Sequence, residues 1–136
     1  MDYFQLASTF FAALAAVISF QSFRLAGKKR SAEMQQDWLN NLRDKVAQIF
    51  AETSKWESGT LDTVKIHYLM EYIDMMLDMS LEHHRNLKNA LFPVVLNAEK
   101  GAEGALSAAY AKLGDASRAF FKVEQDKIRS GLERWI

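Results

Sequence analysis

The apolar and polar positions of this chain form one long uncharged block followed by four stretches with helical spacing. From Tyr3 to Phe23 no residue is charged, and L-A-S-T-F-F-A-A-L-A-A-V-I-S-F within it is almost continuously apolar. The block stops at Arg24 and the cluster Lys28, Lys29 and Arg30. About 20 apolar residues in a helix match the hydrocarbon thickness of a bilayer, so the pattern predicts a transmembrane helix over residues 4–24, within a membrane segment spanning 1–30. A core helix of a bundle would carry a shorter apolar run and a polar stripe. Here the breaks (Gln5, Ser8, Thr9, Ser19, Gln21 and Ser22) are uncharged and lie mostly toward the ends. A signal peptide would open with positive charge, whereas this chain opens Met1-Asp2 and carries its basic residues after the run.

The charges flanking the block imply an orientation. Four basic residues follow it and one acidic residue precedes it, which places the C-terminal side in the cytoplasm by the positive-inside rule. Arg24, Lys28, Lys29 and Arg30 are then expected at lipid head groups. Within the block Ser8, Ala12 and Ala16 form one narrow ridge, and Ala15 and Ser19, continued by Ser22, form a second. Small residues at this spacing let helix backbones approach closely, so the ridges predict packing of membrane helices and a homo-oligomer.

From Ser31 onward no stretch alternates with period two, Gly is scarce and there is one Pro. The remaining chain, residues 31–136, therefore reads as a small all-α bundle. A helix is expected over 32–56, with Leu39, Leu42, Val46, Ile49, Thr53 and Trp56 as its seam and Trp38 and Phe50 beside it. It either continues from the membrane helix or hinges at Gly27. After the turn at residues 57–60, with Thr60 as cap, a second helix over 61–79 is apolar over so wide an arc that it should be central or lie at a subunit interface. Ser80 is the expected cap of a third helix from Leu81, buried through His84, Leu87, Leu91, Val94 and Val95, which Pro93 bends or splits. A last long helix follows Gly101, with Leu106, Ala109, Leu113, Ala116, Phe120, Val123, Ile128 and Leu132 inward, and with Gly114-Asp115 as a potential interruption.

Composition narrows the chemistry. The chain has 17 basic and 17 acidic residues and no Cys. Once the juxtamembrane cluster is set aside, the remaining basic residues are interspersed with acids, which argues against nucleic-acid binding. There is no phosphate-binding Gly loop, nucleophile elbow or Cys nucleophile, so no catalytic residue and no cofactor is predicted. The histidines raise a metal reading. His67, Glu71, Asp74 and Asp78 follow one helix face, and His83 or His84 could approach it with ligand chemistry suited to zinc. The same stripe fits a solvent-facing side, and no metal ligand is assigned. Adjacent His83 and His84 point in different directions on a helix, which suggests that one of them is buried or hydrogen-bonded.

The stretch Gln35-Gln36-Asp37-Trp38-Leu39-Asn40-Asn41-Leu42-Arg43-Asp44 behind a membrane helix and basic stop resembles a group of small bacterial single-pass membrane proteins of uncharacterised function that carry a Q-D-W-[IL]-N-x-L-R stretch. The segment from Met76 to Leu87, with His84, and the segment from Val123 to Arg129 are similar to later features of that group. They lack its Asn-Pro and its late Trp. The resemblance implies an inner-membrane location and this architecture, not a reaction. Read on its own, Trp38 with Arg43 and Asp44 is either a contact fixing the bundle to the membrane helix or a patch for a membrane or cytoplasmic protein partner. The expected function is a non-enzymatic, membrane-anchored scaffold or regulatory subunit that oligomerises. The alternative is an oligomeric effector that opens a pore or disrupts the bilayer, as in an antiviral or toxin-like system.

Overall fold

The computed structural model describes the backbone of residues 3–133 and the side chains of residues 12–18 and 31–131. Four α-helices and one 3-10 turn follow in order: α1 (Tyr3–Thr53), the turn Ser54–Ser58, α2 (Thr63–Met76), α3 (Glu82–Lys100) and α4 (Glu103–Glu133). The first helix is 51 residues long, about 77 Å at 1.5 Å per residue, and it runs through Gly27 without a hinge.

Local chemistry sets the breaks. Gly59 adopts φ +69°, a left-handed conformation that costs a residue without a side chain little, and its N–H closes on the Trp56 carbonyl at 3.2 Å. The cap of α2 is Asp62, whose carboxylate accepts from the Lys65 N–H at 3.1 Å. Thr60 bonds Ser58 instead, at 2.6 Å. Extended backbone at Leu77 and Leu81 bounds the connection to α3, and Leu81 stands where Ser80 was the expected cap. Pro93 lies inside a continuous α3. Gly101, at φ +66°, ends that helix with its own N–H on the Ala98 carbonyl and the Ala102 N–H on the Asn97 carbonyl, a glycine-terminated stop. Gly114-Asp115 leaves α4 unbroken.

The core joins one seam from each helix. Leu39, Leu42, Val46 and Ile49 of α1 meet Ile66, Leu69 and Ile73 of α2, Leu87, Leu91 and Val94 of α3, and Leu106, Leu113 and Phe120 of α4. The most extensive contact is between α3 and α4, and α1 packs on both α2 and α4. At the turn after α1, buried Thr53 gives its hydroxyl hydrogen to the Ile49 carbonyl at 2.7 Å. The Tyr110 hydroxyl of α4, 2.7 Å away, therefore donates to Thr53.

Two expectations are corrected. Among the described residues no helix is long and apolar enough to cross a membrane. The block belongs to a single helix that continues through charged positions to Thr53. The transmembrane helix over 4–24, the lipid bilayer as partner and the single-pass inner-membrane topology with a cytoplasmic domain all rested on that span and fall with it. Ala12, Ala15 and Ala16 are exposed on α1, whereas the side chains of Ser8, Ser19, Arg24, Lys28, Lys29 and Arg30 lie outside the described residues. The second concerns α2 and only the first of its two alternatives, the central one: the helix is peripheral, with Val64, Tyr68 and Met75 exposed at 79%, 62% and 85%, while Ile66, Leu69, Ile73 and Leu77 face the core.

The seam can be tested by urea unfolding. Ile49→Ala, in a fully buried position, is expected to cost about 2–5 kcal/mol, and Val64→Ala less than about 0.5 kcal/mol. Gly101→Ala is expected to cost about 1–2 kcal/mol through backbone strain alone, since a Cβ there meets no neighbour.

Candidate functional site

The charged residue most enclosed by titratable neighbours is Glu124. Along α4 the inward positions Phe120 and Ile128 are eight apart, and Glu124 falls midway between them on the same face. Its side chain is 12% exposed. The first turn of α3 supplies its donors: Nε2 of His83 lies 2.5 Å and Nε2 of His84 2.9 Å from the same oxygen, Oε1. The Lys127 ammonium, one helical turn on, stands 3.4 Å from that oxygen. Burial alone would push this carboxyl up, but the two imidazole N–H donors and Lys127 outweigh it and hold the group below the usual carboxylate range.

Aromatic rings close the cluster. Trp38 of α1 stacks on His84 with centroids 6.1 Å apart and planes 20° apart, and Phe120 meets His84 edge-on at 4.8 Å. His84 is bound on both sides, because its Nδ1 accepts the backbone N–H of Asp78, in the α2–α3 connection, at 2.9 Å. The connection is itself tied down: Asp78 Oδ1 accepts from the Ser80 hydroxyl at 2.7 Å and the Ser80 N–H at 3.0 Å. These bonds hold the Asp78 carboxyl below its ordinary value.

This wiring decides what the cluster can do. Two imidazoles and a carboxylate within 4.8 Å of one another are the donor types a divalent cation takes. A histidine that ligates through Nε2 carries its proton on Nδ1 and donates it to an outer acceptor. Here a backbone N–H points at Nδ1 of His84, which puts the proton on Nε2 and leaves no lone pair there for a metal. The group holds protons, and its donors are committed to one buried carboxylate.

Of the other predicted residues only Trp38 joins this cluster. Trp38 is half-buried in the cluster just described, Arg43 lies 4.8 Å over the Phe121 ring, and Asp44 accepts from Gln48 at 2.8 Å. The expected stripe divides. His67 pairs with Glu99 of α3 at 2.9 Å, Asp74 lies 2.5 Å from the Lys88 ammonium, off the direction of a hydrogen bond, and Glu71 is exposed with no ion-pair partner among the described residues. The two cross-links fix α2 beside α3, and between Lys88 and Glu99 the α3 surface shows Phe92 and Leu96. A hollow of about 120 Å³ opens at this seam, lined by Met70, Glu71, Asp74, Lys88 and Leu91 among others. Sequence reading missed Glu52 as well. This buried carboxylate at the end of α1 takes Lys65 at 2.9 Å and Lys55 at 3.2 Å, and these partners, Lys65 first, hold it below the usual range.

Glu124 gives the cluster its test. Glu124→Ala leaves two buried imidazole N–H groups without an acceptor and is expected to cost about 2–3 kcal/mol at neutral pH. Because the folded carboxyl titrates below its unfolded value, the wild type keeps this contribution above about pH 4.5 and loses it as pH falls through the lower folded value. Glu124→Gln is therefore expected to flatten the acid limb of a stability-versus-pH curve, as measured by thermal melts from pH 3 to 7.

No family model, curated protein or solved structure matches this chain. The resemblance to single-pass membrane proteins with a Q-D-W-[IL]-N-x-L-R stretch is accordingly withdrawn, since neither a matching family nor a membrane span among the described residues supports it. The membrane-anchored scaffold and the pore-forming effector go with it, leaving an all-α helical domain to be read from its own surface.

Proposed function

We propose that this protein is a non-catalytic helical module that binds an amphipathic helix of a partner protein along the outer side of α2 and α3. The observation that carries the reading is the stripe Val64, Tyr68 and Met75, three large apolar side chains on one face of a folded helix, each more than 60% exposed. Single exposed apolar residues are ordinary on protein surfaces, but a row at helical spacing is what helix-in-groove recognition uses. The row spans 12 residues, about 16 Å from first to last, the reach of a three-turn helix. Phe92 and Leu96 extend the apolar surface onto α3, and the hollow at the seam can take one anchoring side chain.

Charge identifies the occupant. The bridges His67–Glu99 and Asp74–Lys88 neutralise themselves across the seam. Glu71 lies on the stripe face between Tyr68 and Met75 and also lines the hollow. A partner helix with a Lys or Arg beside its apolar row satisfies that carboxylate, and an acidic one is repelled. The face also contains Met70 and Met75, whose flexible thioethers mould to different apolar shapes.

A synthetic helix of about four turns with Leu at i, i+4, i+7 and i+11 and Lys beside the row is the probe. Titration calorimetry is expected to show micromolar binding, weakened roughly tenfold or more by Tyr68→Glu and by exchange of the peptide Lys for Glu. Val123→Glu, on the exposed side of α4, is expected to leave it unchanged. Absence of binding at millimolar peptide, or binding indifferent to Tyr68→Glu, would sink the proposal. A concentration-dependent dimer abolished by Tyr68→Glu would put a second copy of this chain on the face and equally overturn it.

A further inference from the structure

We infer that His84 is a proton-operated latch on the α2–α3 connection. Taking up a second proton at Nδ1 forces it to release the Asp78 backbone N–H and so loosens residues 77–81, which keep the Arg85 bond to the Met79 carbonyl. This step does not depend on the docking face.

The geometry allows one neutral arrangement. Nδ1 accepts from the Asp78 N–H at 2.9 Å and Nε2–H donates to Glu124 at 2.9 Å. Rotating the ring by half a turn would put carbon against both partners, so the tautomer is fixed by its surroundings. A proton arriving from solvent must bind at Nδ1, where it meets the hydrogen of Asp78 N–H head-on. Two donors cannot share that 2.9 Å separation, so the connection has to move.

The groups around the ring make this a contest between two opposed effects. Glu124 favours the imidazolium, which keeps its Nε2–H bond to the carboxylate and gains charge pairing. Against it stand the Lys127 ammonium, 3.4 Å from the same carboxylate oxygen, and the His83 ring, 4.5 Å away between centroids and itself bound to Glu124. From α1 the facing group is the uncharged Trp38. From the connection it is Asp78, whose carboxylate is held by Ser80. Once the backbone N–H has left, that carboxylate is the acceptor the connection itself can offer the new Nδ1–H. The latch therefore exchanges a bond donated by the Asp78 main chain for one accepted by the Asp78 side chain, at the cost of one proton from solvent.

The ground held by the latch is small. Leu77 is the buried apolar residue of the connection, and its N–H already serves as the last bond of α2, to the Ile73 and Asp74 carbonyls. Release of Asp78 thus loosens the end of α2 while leaving the α3–α4 pairing in place.

The test is amide hydrogen exchange of the full chain by NMR from pH 5 to 8, with the His84 ring titrated in the same samples. After correction for intrinsic exchange, protection of the Asp78 amide is expected to fall roughly tenfold per pH unit as the pH drops toward the His84 midpoint, as one-proton linkage requires, and to be lost below it, while Leu91 stays protected. His84→Asn, whose side-chain oxygen can accept from Asp78 without titrating, is expected to abolish the dependence. His83→Gln is expected to retain it. Constant Asp78 protection through the His84 titration, or unchanged pH dependence in His84→Asn, would overturn the latch. So would zinc that binds at neutral pH and shifts both histidine rings, since it would show that the tautomer is not held.

Discussion

A carboxylate excluded from water has to be given donors by the protein, and much of this architecture follows from how Glu124 is given them. An ionised group without partners in such a place would be strongly destabilising. The fold therefore brings the start of α3 against the C-terminal half of α4 so that two imidazoles reach one oxygen. The α2–α3 connection then has to pass where its main chain can occupy the other nitrogen of His84, and α1 has to bring Trp38 over the exposed ring face. Three helices and one connection are positioned by one functional group. An apolar residue in its place would remove the desolvation cost, so the cluster is better understood as specifying one arrangement than as maximising stability.

Its influence weakens toward α2. That helix contributes Ile66, Leu69 and Ile73 to the core but is otherwise held by polar contacts at its edges. Lys65 reaches back to Glu52, the Tyr72 hydroxyl accepts from Asn41 at 3.0 Å, Lys45 lies 4.9 Å over the Tyr72 ring, and the ion pairs to α3 are part-exposed. Such contacts contribute about 0–1 kcal/mol each at a surface. Elements with little apolar burial and exposed polar links open at lower free energy than the core. By that measure α2 with its connection is expected to open before the α3–α4 pairing, and it is the same part that carries the outward apolar row.

Where the physics is local, it was legible in the residues. The α1 seam from Leu39 to Thr53 and the α3 seam through His84 and Leu91 follow from spacing alone, because a helix buries one side regardless of its partner. The glycine stop at Gly101 is equally local. In the N-terminal block, length and lack of charge do not specify an environment. Those features describe a solvent preference and leave open what surrounds the residues. On α4, hydrophobicity points Val123 inward, whereas the inward position belongs to its neighbour Glu124. The signal for that was a charged residue midway between Phe120 and Ile128, facing a histidine at a seam position of α3. Neither anomaly means much alone, and only the fold makes them one feature across 40 residues of sequence.

The histidine pair shows why the metal reading and the proton reading cannot both hold. Both require His83, His84 and Glu124 to converge, so the convergence itself does not choose between them. The choice is made by a main-chain N–H, from Asp78, that no side-chain inventory would include. It takes the lone pair of Nδ1, fixes the proton on Nε2 and turns a set of ligand-type groups into donors for a carboxylate. Because this same N–H belongs to the segment joining α2 to α3, the protonation state of one buried ring and the freedom of the helix that bears the exposed apolar row are tied through a single hydrogen bond.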